Sequence, residues 1–399
     1  MSEAELPILV AGAGIGGLTA ALALARDGHT VQVLERRTGV DEVGAGIQLS
    51  PNASRILVGL GLGPALMRAG AEPERLVVRR ARRGEVLAEM PLGPAMRERY
   101  GAPYVVVHRA DLQMMLLDKV RSHPRVRLVF GREIAGAVDE GETVSVETQA
   151  RSGQENWRGR LLVGADGVWS RTAEIVAGKP QPPVFSGCNA WRAVIAMEHA
   201  PPPLRRRETT LWLGPGAHVV TYPIRSGRDL NVVAITEDGP ASADWARPGD
   251  PSQLKARLKG WTGDVQHLLT AIRDWQVWSL HDDLKRPFVK GRIALLGDAA
   301  HPVLPFLAQG GALAIEDAAV LSAELRPGPQ PLDPNAALER YRSQRAPRAR
   351  RVQQAARDNA RAYHMGLPLS LARDAILKRL GGDGLARRYD WLYGWKPPA

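Results

Sequence analysis

The run ILVAGAGIGGLTAALALARDGHTVQVLE, residues 8–35, constrains the fold more than any other part of this 399-residue chain. Its apolar start predicts a buried strand, and Gly12, Gly14 and Gly17 follow as G-x-G-x-x-G before a segment with helical periodicity. In a strand-turn-helix unit the first glycine permits the tight turn, the second lets a pyrophosphate approach, and the third lets helix and strand pack closely. Glu35, at the end of the second predicted strand, would accept hydrogen bonds from an adenosine ribose and disfavours a 2′-phosphate there. The segment therefore predicts a dinucleotide site on a helix N-terminus.

A transmembrane helix is the alternative for the same stretch, because residues 8–25 carry no charge. The clustered glycines argue against it, since they divide the stretch into a short strand and a helix that ends near Gly28. We expect no membrane span. The acidic start MSEAEL differs from a secretory signal, and the single cysteine, Cys188, excludes an internal disulfide and a cysteine-pair zinc site, so a cytoplasmic location and no metal are expected.

The net charge of +11 raises nucleic acid or an anionic surface as a possible partner. The densest basic runs, 79–83, 205–207 and 342–351, contain no interleaved aromatic residues, and no zinc-finger spacing is present. We therefore expect solvated surfaces with a bias toward anionic small molecules, and no nucleic-acid partner.

The order of the predicted elements indicates one domain interrupted by another. Strands that lead into glycine-bearing turns are typical of a doubly wound, Rossmann-like α/β domain, and they fall in residues 1–75, 104–178 and 287–334. Alternating apolar and polar residues predict a mostly antiparallel β substrate domain from 76–103 and 179–286, with a hairpin at Gly214-Pro215-Gly216. Residues 335–399 are rich in Ala and Arg and predict a C-terminal helical tail that packs on the body or faces a dimer partner.

Two later segments place an aspartate directly after a strand. LLVGADGVWSR contains Asp166-Gly167, and RIALLGDAAHP contains Gly297-Asp298. Together with the G-x-G-x-x-G, in this order and spacing, they resemble the single-component flavoprotein aromatic hydroxylases of the p-hydroxybenzoate hydroxylase fold. The resemblance covers nearly the whole chain, and it is greatest for the salicylate and 3-hydroxybenzoate hydroxylase branch.

This resemblance implies a function. The doubly wound domain would bind FAD, NADH or NADPH would be the co-substrate, and O2 would hydroxylate a small phenolic acid or related heteroaromatic through a C4a-hydroperoxyflavin. The alternative is a flavin-dependent oxidoreductase of the same fold without oxygen transfer. A monomer or a homodimer fits either activity.

The resemblance also implies which residues hold FAD. Asp298 would hydrogen-bond the ribityl chain, and Asp166 and Gly167 would serve the pyrophosphate and the nicotinamide nucleotide, although such an aspartate also suits a turn or helix cap. Arg109, in VVVHRADL, would contact an FAD phosphate or ribose. Three further positions would line FAD, the last beside the isoalloxazine: Ile15, Arg36 and Gln48.

A predicted helix after Asp298 begins with Gly310 and Gly311. Placed against the flavin pyrimidine, its N-terminal dipole would stabilise the negative charge of the reduced ring. The resemblance implies that Pro302 packs near the ring, with ordinary core packing as the alternative.

The predicted strand Ala217–Ile224 supplies the candidate substrate wall. Side chains alternate along a strand, so His218, Val220 and Tyr222 share a face, with His218 and Tyr222 about 13 Å apart. A histidine with an ordinary pKa near 6.5 can accept a phenol proton, and Tyr222 can orient a hydroxyl or carboxylate. In the similar branch a His and a Tyr four apart occupy the substrate site. The alternative is that both are packed strand residues.

Residues predicted to lie near this strand do not determine the identity of the substrate. Pro305 and Phe306 stand where members of the branch often carry a polar residue, which predicts a more apolar pocket on that side. Trp191, Arg192 and Trp212 lie on neighbouring predicted strands. Arg192 could pair with a substrate carboxylate, or it could be solvated or salt-bridged within the protein.

Overall fold

The computed structural model describes residues 6–39, 45–237, 247–329 and 331–398. Most of the acidic N-terminal segment MSEAEL lies outside these residues. The strands are β1 (Ile8–Ala11), β2 (Val31–Glu35), β3 (Gly46–Leu49), β4 (Arg75–Arg80), β5 (Val86–Pro91), β6 (Val105–His108), β7 (Val126–Phe130), β8 (Glu133–Asp139), β9 (Val144–Ala150), β10 (Gly153–Gly159), β11 (Leu161–Gly164), β12 (Val184–Ala196), β13 (Glu208–Gly214), β14 (Ala217–Ile224), β15 (Asp229–Thr236), β16 (Arg247–Gly249), β17 (Trp275–Asp282), β18 (Val289–Lys290) and β19 (Ile293–Leu295).

The helices that connect and cover these strands run from the glycine turn to the C-terminal region. They are α1 (Ile15–Arg26), α2 (Pro51–Gly59), α3 (Gly63–Ala69), α4 (Pro94–Tyr100), α5 (Arg109–Arg121), α6 (Arg171–Ala177), α7 (Pro251–Arg257), α8 (Gly263–Ala271), α9 (Gly310–Leu325), α10 (Pro334–Tyr363), α11 (Leu369–Arg388) and α12 (Asp390–Tyr393). None of the helices within the described ranges is both long and apolar enough to cross a membrane.

A six-stranded sheet carries the glycine turn. Its strand order is β18-β19-β11-β1-β2-β7, and every neighbouring pair is parallel except the antiparallel β18 and β19. β1 and β11 are buried along their whole length, as expected for central parallel strands covered by helices on both faces. β1, α1 and β2 therefore form the predicted strand-turn-helix unit.

A second sheet has eight strands in the order β16-β17-β12-β15-β14-β13-β4-β5. It is antiparallel except between β13 and β4. The predicted hairpin turn at 214–216 joins β13 to β14, with Gly214 opposite Ala217. The assignment of these strands to a separate domain remains a prediction.

The two faces of the eight-stranded sheet pack on different cores. One face carries Trp191, Trp212 and Val219, which pack with residues of α7 and α8 such as Leu254 and Leu268. The opposite face carries the alternate residues of β12, β14 and β15, and it packs against the segment that contains Leu304 and Phe306. The tryptophans therefore stabilise the sheet on the side of α7 and α8, and the opposite face carries His218 and Tyr222, the candidate substrate residues.

The C-terminal segment is packed into the body by buried ion pairs. Arg345 of α10 is 1% exposed, and its guanidinium lies 2.7 Å from Asp317 and 2.8 Å from Glu316, both fully buried on α9. Arg348 lies 2.6 Å from Glu316. Because an unpaired buried charge costs several kcal/mol, roughly 3–5 when one partner is removed, these pairs fix α10 against α9.

Candidate active site

The glycine turn has the geometry that its spacing predicts. Gly12 has φ +103°, and a Cβ there would lie 2.6 Å from the carbonyl oxygen of Ala165. A Cβ on Gly17 would overlap the carbonyl oxygen of Gly12, whereas a Cβ on Gly14 would meet no atom within 4 Å. The backbone packing of the protein therefore requires glycine at positions 12 and 17, whereas Gly14 faces open space at the N-terminus of α1.

Glu35 lies at the end of β2 beside this turn. Its carboxylate accepts hydrogen bonds from the backbone N–H of Ala13, at 2.6 Å, and of Arg37, at 2.9 Å. Arg36 is exposed and helps to line a cavity of about 490 Å³ beyond the strand. Ile15, the first residue of α1, is buried. The position of Glu35 suits a ribose acceptor, and its bonds to Ala13 and Arg37 hold the carboxylate in place.

Asp166 organises the start of α6. Its carboxylate accepts hydrogen bonds from the Ser170 hydroxyl, at 2.6 Å, and from the Thr172 backbone N–H, at 2.9 Å. This is the capping role that the sequence left open as an alternative. Gly167 follows with φ +83°. Their contact with FAD stays a prediction.

Asp298 has a different environment. It lies in the turn after β19, and a Cβ on Gly310 would lie 4.0 Å from its carboxylate oxygen. Within the described ranges no protein group hydrogen-bonds this carboxylate, which leaves it available to a ligand hydroxyl. Gly311 packs so closely on β3 that a Cβ would approach Ile47 to 2.5 Å. The N-terminus of α9 therefore lies between the Asp298 turn and β3.

The turn that carries Asp298 is held against α9 through contacts with Asp317. Asp317 accepts hydrogen bonds from the backbone N–H of Gly297, at 2.9 Å, and lies 2.5 Å from the His301 ring nitrogen Nε2. Burial opposes ionisation of Asp317, but His301 and Arg345 outweigh it and lower the pKa of this carboxyl. Pro302 is buried, and its carbonyl oxygen accepts a hydrogen bond from Gln353 of α10. His301 thus has a positioning role that sequence reasoning missed, although it stands in the GDAAH segment.

Tyr222 lies where β14 meets β3. A Cβ on Gly46 would lie 2.5 Å from the Tyr222 ring, and the Tyr104 hydroxyl donates a 2.6 Å hydrogen bond to the side-chain oxygen of Gln48. Burial raises the pKa of Tyr222, so its hydroxyl stays protonated at neutral pH and can donate a hydrogen bond. Gln48 and Tyr222 are therefore brought together, as expected if both face the same ligand space.

His218 lies further along the same face, but it is not the histidine of ordinary pKa that the sequence suggested. It is 3% exposed and packs near the rings of Phe306 and Tyr363, at 5.2 and 5.4 Å between centroids. Its Nδ1 lies 2.8 Å from Nε2 of His364, whose Nδ1 lies 2.7 Å from a Glu237 carboxylate oxygen. Burial and the neighbouring His364 hold the pKa of His218 well below its usual range. The expectation that it titrates near neutral pH is therefore wrong for the ligand-free protein.

Arg192 shares this face of the sheet. Its register opposite Val233 places it beside the row of His218, Val220 and Tyr222. The guanidinium lies over the Trp278 ring at 5.1 Å, and its buried Nε has no hydrogen-bond partner. Burial lowers the pKa of Arg192, although an arginine remains protonated in proteins. No carboxylate of the described residues forms an ion pair with it, so the salt-bridged alternative finds no support there.

Arg109 is the predicted site residue about which the geometry says least. It is exposed at the first position of α5, and its backbone N–H donates to the carbonyl oxygen of Ala45. It lies close enough to Arg192 to lower the pKa of that group. The two cations could therefore attract an anion to the space between them, and a contact of Arg109 with FAD stays a prediction.

Comparison with known proteins decides the family. A family model described as an FAD binding domain matches residues 5–356. The chain belongs to this FAD-binding family. The site residues fit the cofactor, because Gly14 leaves open space at the N-terminus of α1, and the Asp298 carboxylate, which no group in the described ranges hydrogen-bonds, lies beside the N-terminus of α9.

Individual relatives cover almost the whole chain. It is 36% identical over 390 residues to 3-hydroxybenzoate 6-hydroxylase 1 of Aquipseudomonas alcaligenes, which covers 97% of both chains. Among solved structures, a salicylate hydroxylase substrate complex superposes with a TM-score of 0.81 at 27% identity, covering 99% of this chain and 97% of the other. Klebsiella pneumoniae HpxO complexed with FAD and uric acid gives a TM-score of 0.84 at 29% identity over 98% and 97%. The predicted resemblance to the salicylate and 3-hydroxybenzoate hydroxylase branch is confirmed.

Proposed function

We propose that this protein is an FAD-dependent monooxygenase that uses NADH or NADPH and O2 to hydroxylate a small aromatic acid bearing a ring hydroxyl or amino group. The observation that carries the proposal is one buried sheet face that presents His218 and Tyr222 on β14 and Arg192 on β12, with β15 between them, and that packs against the segment containing Leu304 and Phe306. A cation, a hydroxyl donor and an imidazole are the groups that a hydroxybenzoate requires. The names of the relatives support the same class of substrate.

The domain arrangement is part of this proposal. A discontinuous FAD domain, 1–75, 104–178 and 287–334, is interrupted by a substrate domain, 76–103 and 179–286. The substrate would lie between them, where β3 and the 302–306 segment face β14, since ligand sites favour such interfaces. FAD, held by the residues of the glycine turn and the Asp298 turn, would supply the oxygen-transfer chemistry when bound.

The protein's own residues bind, orient and deprotonate the substrate. Arg192, partly buried and without a carboxylate partner among the described residues, receives the substrate carboxylate as a charge-assisted pair. Tyr222 donates a hydrogen bond that orients the ring, and His218 accepts the proton of the ring hydroxyl, which raises the electron density of the ring. Val220, Leu304 and Phe306 make the wall around His218 apolar and exclude water.

A substrate panel tests the proposal. The purified holoenzyme is mixed with hydroxybenzoates, aminobenzoates and the matching phenols and hydroxypyridines that lack a carboxylate, and NAD(P)H oxidation and product mass are both followed. We expect a product with one added oxygen per NAD(P)H for at least one aromatic acid. NAD(P)H oxidation that yields only peroxide with every compound would identify a flavin-dependent oxidoreductase without oxygen transfer and refute the proposal.

The role of Arg192 has its own variant. Arg192→Met should raise the KM for the aromatic acid by roughly 10- to 100-fold, the scale of a lost charge-assisted hydrogen bond, and leave the KM for the corresponding phenol nearly unchanged. Arg361→Met, at a side chain that is 72% exposed on α10, is the matched control. An equal loss for acid and phenol would show that Arg192 does not bind the carboxylate.

A further inference from the structure

Three side chains link the buried face of the sheet to the surface. His218 Nδ1 lies 2.8 Å from His364 Nε2, and His364 Nδ1 lies 2.7 Å from Glu237 Oε1. His218 and His364 are buried, whereas the Glu237 side chain is 47% exposed. The series therefore begins inside the candidate substrate site and ends at solvent.

The hydrogen bonds set the proton positions on both rings. Glu237 is a carboxylate and can only accept, so His364 carries its proton on Nδ1 and presents the Nε2 lone pair. His218 must then donate from Nδ1 to that lone pair, which leaves its own Nε2 as a bare acceptor. Within the described residues, His218 Nε2 has no hydrogen-bond partner. The unprotonated Nε2 of His218 therefore lies on the side of the ring that faces away from His364 and Glu237, and it is the basic nitrogen of the series.

The backbone holds this arrangement in place. His364 caps the C-terminus of α10 through a bond to the Ala360 carbonyl oxygen, and its own carbonyl oxygen accepts from the N–H of Gly216 in the β13-β14 turn. Glu237 follows β15, and its N–H donates to the Gly216 carbonyl oxygen. Gly216 therefore fixes the positions of both His364 and Glu237 relative to His218, which lies two residues further along the chain than Gly216.

Burial and neighbouring charges disfavour the doubly protonated, charged form of both His218 and His364. Burial lowers the pKa of His364, which the bonded Glu237 partly offsets, and the cations Arg257 and Arg373 lower it further. Among the residues that the structure describes, the other titratable neighbours are Tyr363, whose ring packs on His218, and Cys188, whose sulfur lies within 4.8 Å of the nearest His364 and Glu237 side-chain atoms. An additional proton that enters at His218 is therefore not retained on either buried ring.

We propose that His218, His364 and Glu237 form a proton relay that carries the substrate hydroxyl proton out of the closed site. The hydroxyl proton moves to His218 Nε2, the Nδ1 proton of His218 moves to His364 Nε2, and the Nδ1 proton of His364 moves to Glu237 and then to water. One proton enters and one leaves, and the substrate keeps the electron pair as a phenolate. A proton returned along the same path restores the starting tautomers. His364 and Glu237 are positioning residues that act through His218, and the inference rests on the proposed function.

The test measures proton release rather than turnover. Holoenzyme is mixed rapidly with 3-hydroxybenzoate, or with whichever panel compound binds more tightly, and two signals are followed: the ultraviolet phenolate band and a pH indicator in solution. His364→Gln keeps an acceptor for His218 but cannot pass a proton, so both signals should slow by at least about tenfold while the dissociation constant of the compound changes less than twofold. Glu237→Gln should slow both signals, and Glu237→Asp should restore them.

Glu198 and His199 provide matched controls, because their side chains are 79% and 72% exposed at one surface site. Glu198→Gln and His199→Gln should leave both signals unchanged. Phenolate formation at the wild-type rate in both His364→Gln and Glu237→Gln would overturn the relay and leave the proposed function intact. Phenolate formation without any oxygenated product would refute the proposed function and leave the relay intact.

If no panel compound forms a phenolate, nitrogen NMR of the ligand-free holoenzyme decides. The relay requires His218 in the Nδ1–H tautomer, and His364→Ala should release it to the other tautomer. An Nε2–H tautomer on wild-type His218 would overturn the proposal, because that nitrogen could not accept the proton.

Discussion

Gly14→Ala separates the requirements of the cofactor from those of the fold. The residue has φ −73° and ψ 179°, a conformation that alanine adopts without strain, and its added Cβ would meet no atom within 4 Å. In the absence of FAD the variant should therefore fold normally. It should be slightly more stable, by about 0.4–1 kcal/mol, because alanine lowers the entropy of the unfolded chain.

The effect on FAD binding should have the opposite sign. A pyrophosphate that accepts from the amides at the start of α1 must approach the backbone at Gly14, and a methyl group would stand in its way. Loss of one charge-assisted hydrogen bond costs about 1.5–3 kcal/mol, so the FAD dissociation constant should rise roughly 10- to 150-fold.

Two measurements on the apoprotein check this prediction: quenching of FAD fluorescence for affinity, and urea unfolding for stability. Gly59→Ala is the matched control, since that glycine is exposed at the end of α2 and also has open space at its Cβ. Gly17→Ala should instead fail to fold, because its Cβ would overlap the Gly12 carbonyl oxygen. An unchanged FAD affinity in Gly14→Ala would refute the assignment of the pyrophosphate to this turn.

Four other changes have distinct expected outcomes. Glu35→Ala should weaken FAD binding by roughly 1–3 kcal/mol in the same fluorescence titration, and an unchanged affinity would exclude Glu35 as the ribose acceptor. His218→Ala should slow product formation by about a hundredfold in single-turnover mixing with FAD still bound, and wild-type rates would assign the base elsewhere. Arg345→Met should lower the free energy of unfolding by about 3–5 kcal/mol in urea, because Asp317 and Glu316 are fully buried and each loses a charged partner, although Arg348 still pairs with Glu316 and His301 still contacts Asp317. Because the pKa of Asp317 is lowered in the folded protein, its ionised carboxylate stabilises the fold fully above about pH 4, and this stabilisation is lost as the pH falls toward the folded-state pKa. Asp317→Asn should therefore make the free energy of unfolding in urea depend less on pH in acid. A loss of stability in acid as steep as that of the wild type would contradict this.

The glycine turn could be predicted from the sequence because its determinants are local. The spacing of Gly12, Gly14 and Gly17 specifies a turn whose steric limits involve only β1, α1 and the adjoining Ala165. The same holds for the face of β14, where the period of two places His218 and Tyr222 together. Asp298 was recognised by resemblance, and the structure adds that its carboxylate stands beside Gly310.

The surroundings of His218 could not be predicted because they come from distant parts of the chain. His364 is 146 residues away in sequence, and it contacts His218 only because α10 ends against the β13-β14 turn. The alternation of β14 says which side chains share a face, but it does not say what packs on that face. Burial then shifts the pKa of His218, so the error of assuming an ordinary histidine follows from the missing tertiary contact.

Helix α10 links the two halves of the site, which the composition of the C-terminal segment does not reveal. Arg345 contacts Asp317, which hydrogen-bonds the turn that carries Asp298, and His364, at the end of the same helix, contacts His218 on the proposed substrate wall. Arg345 and His364 are nineteen positions apart, which corresponds to about 28 Å along a helix. Because both contacts are buried and polar, a shift of α10 would break hydrogen bonds at both ends at once. The helix therefore fixes the position of His218, the proposed base, relative to the Asp298 turn, the proposed FAD contact, and its removal should impair FAD binding and hydroxylation together.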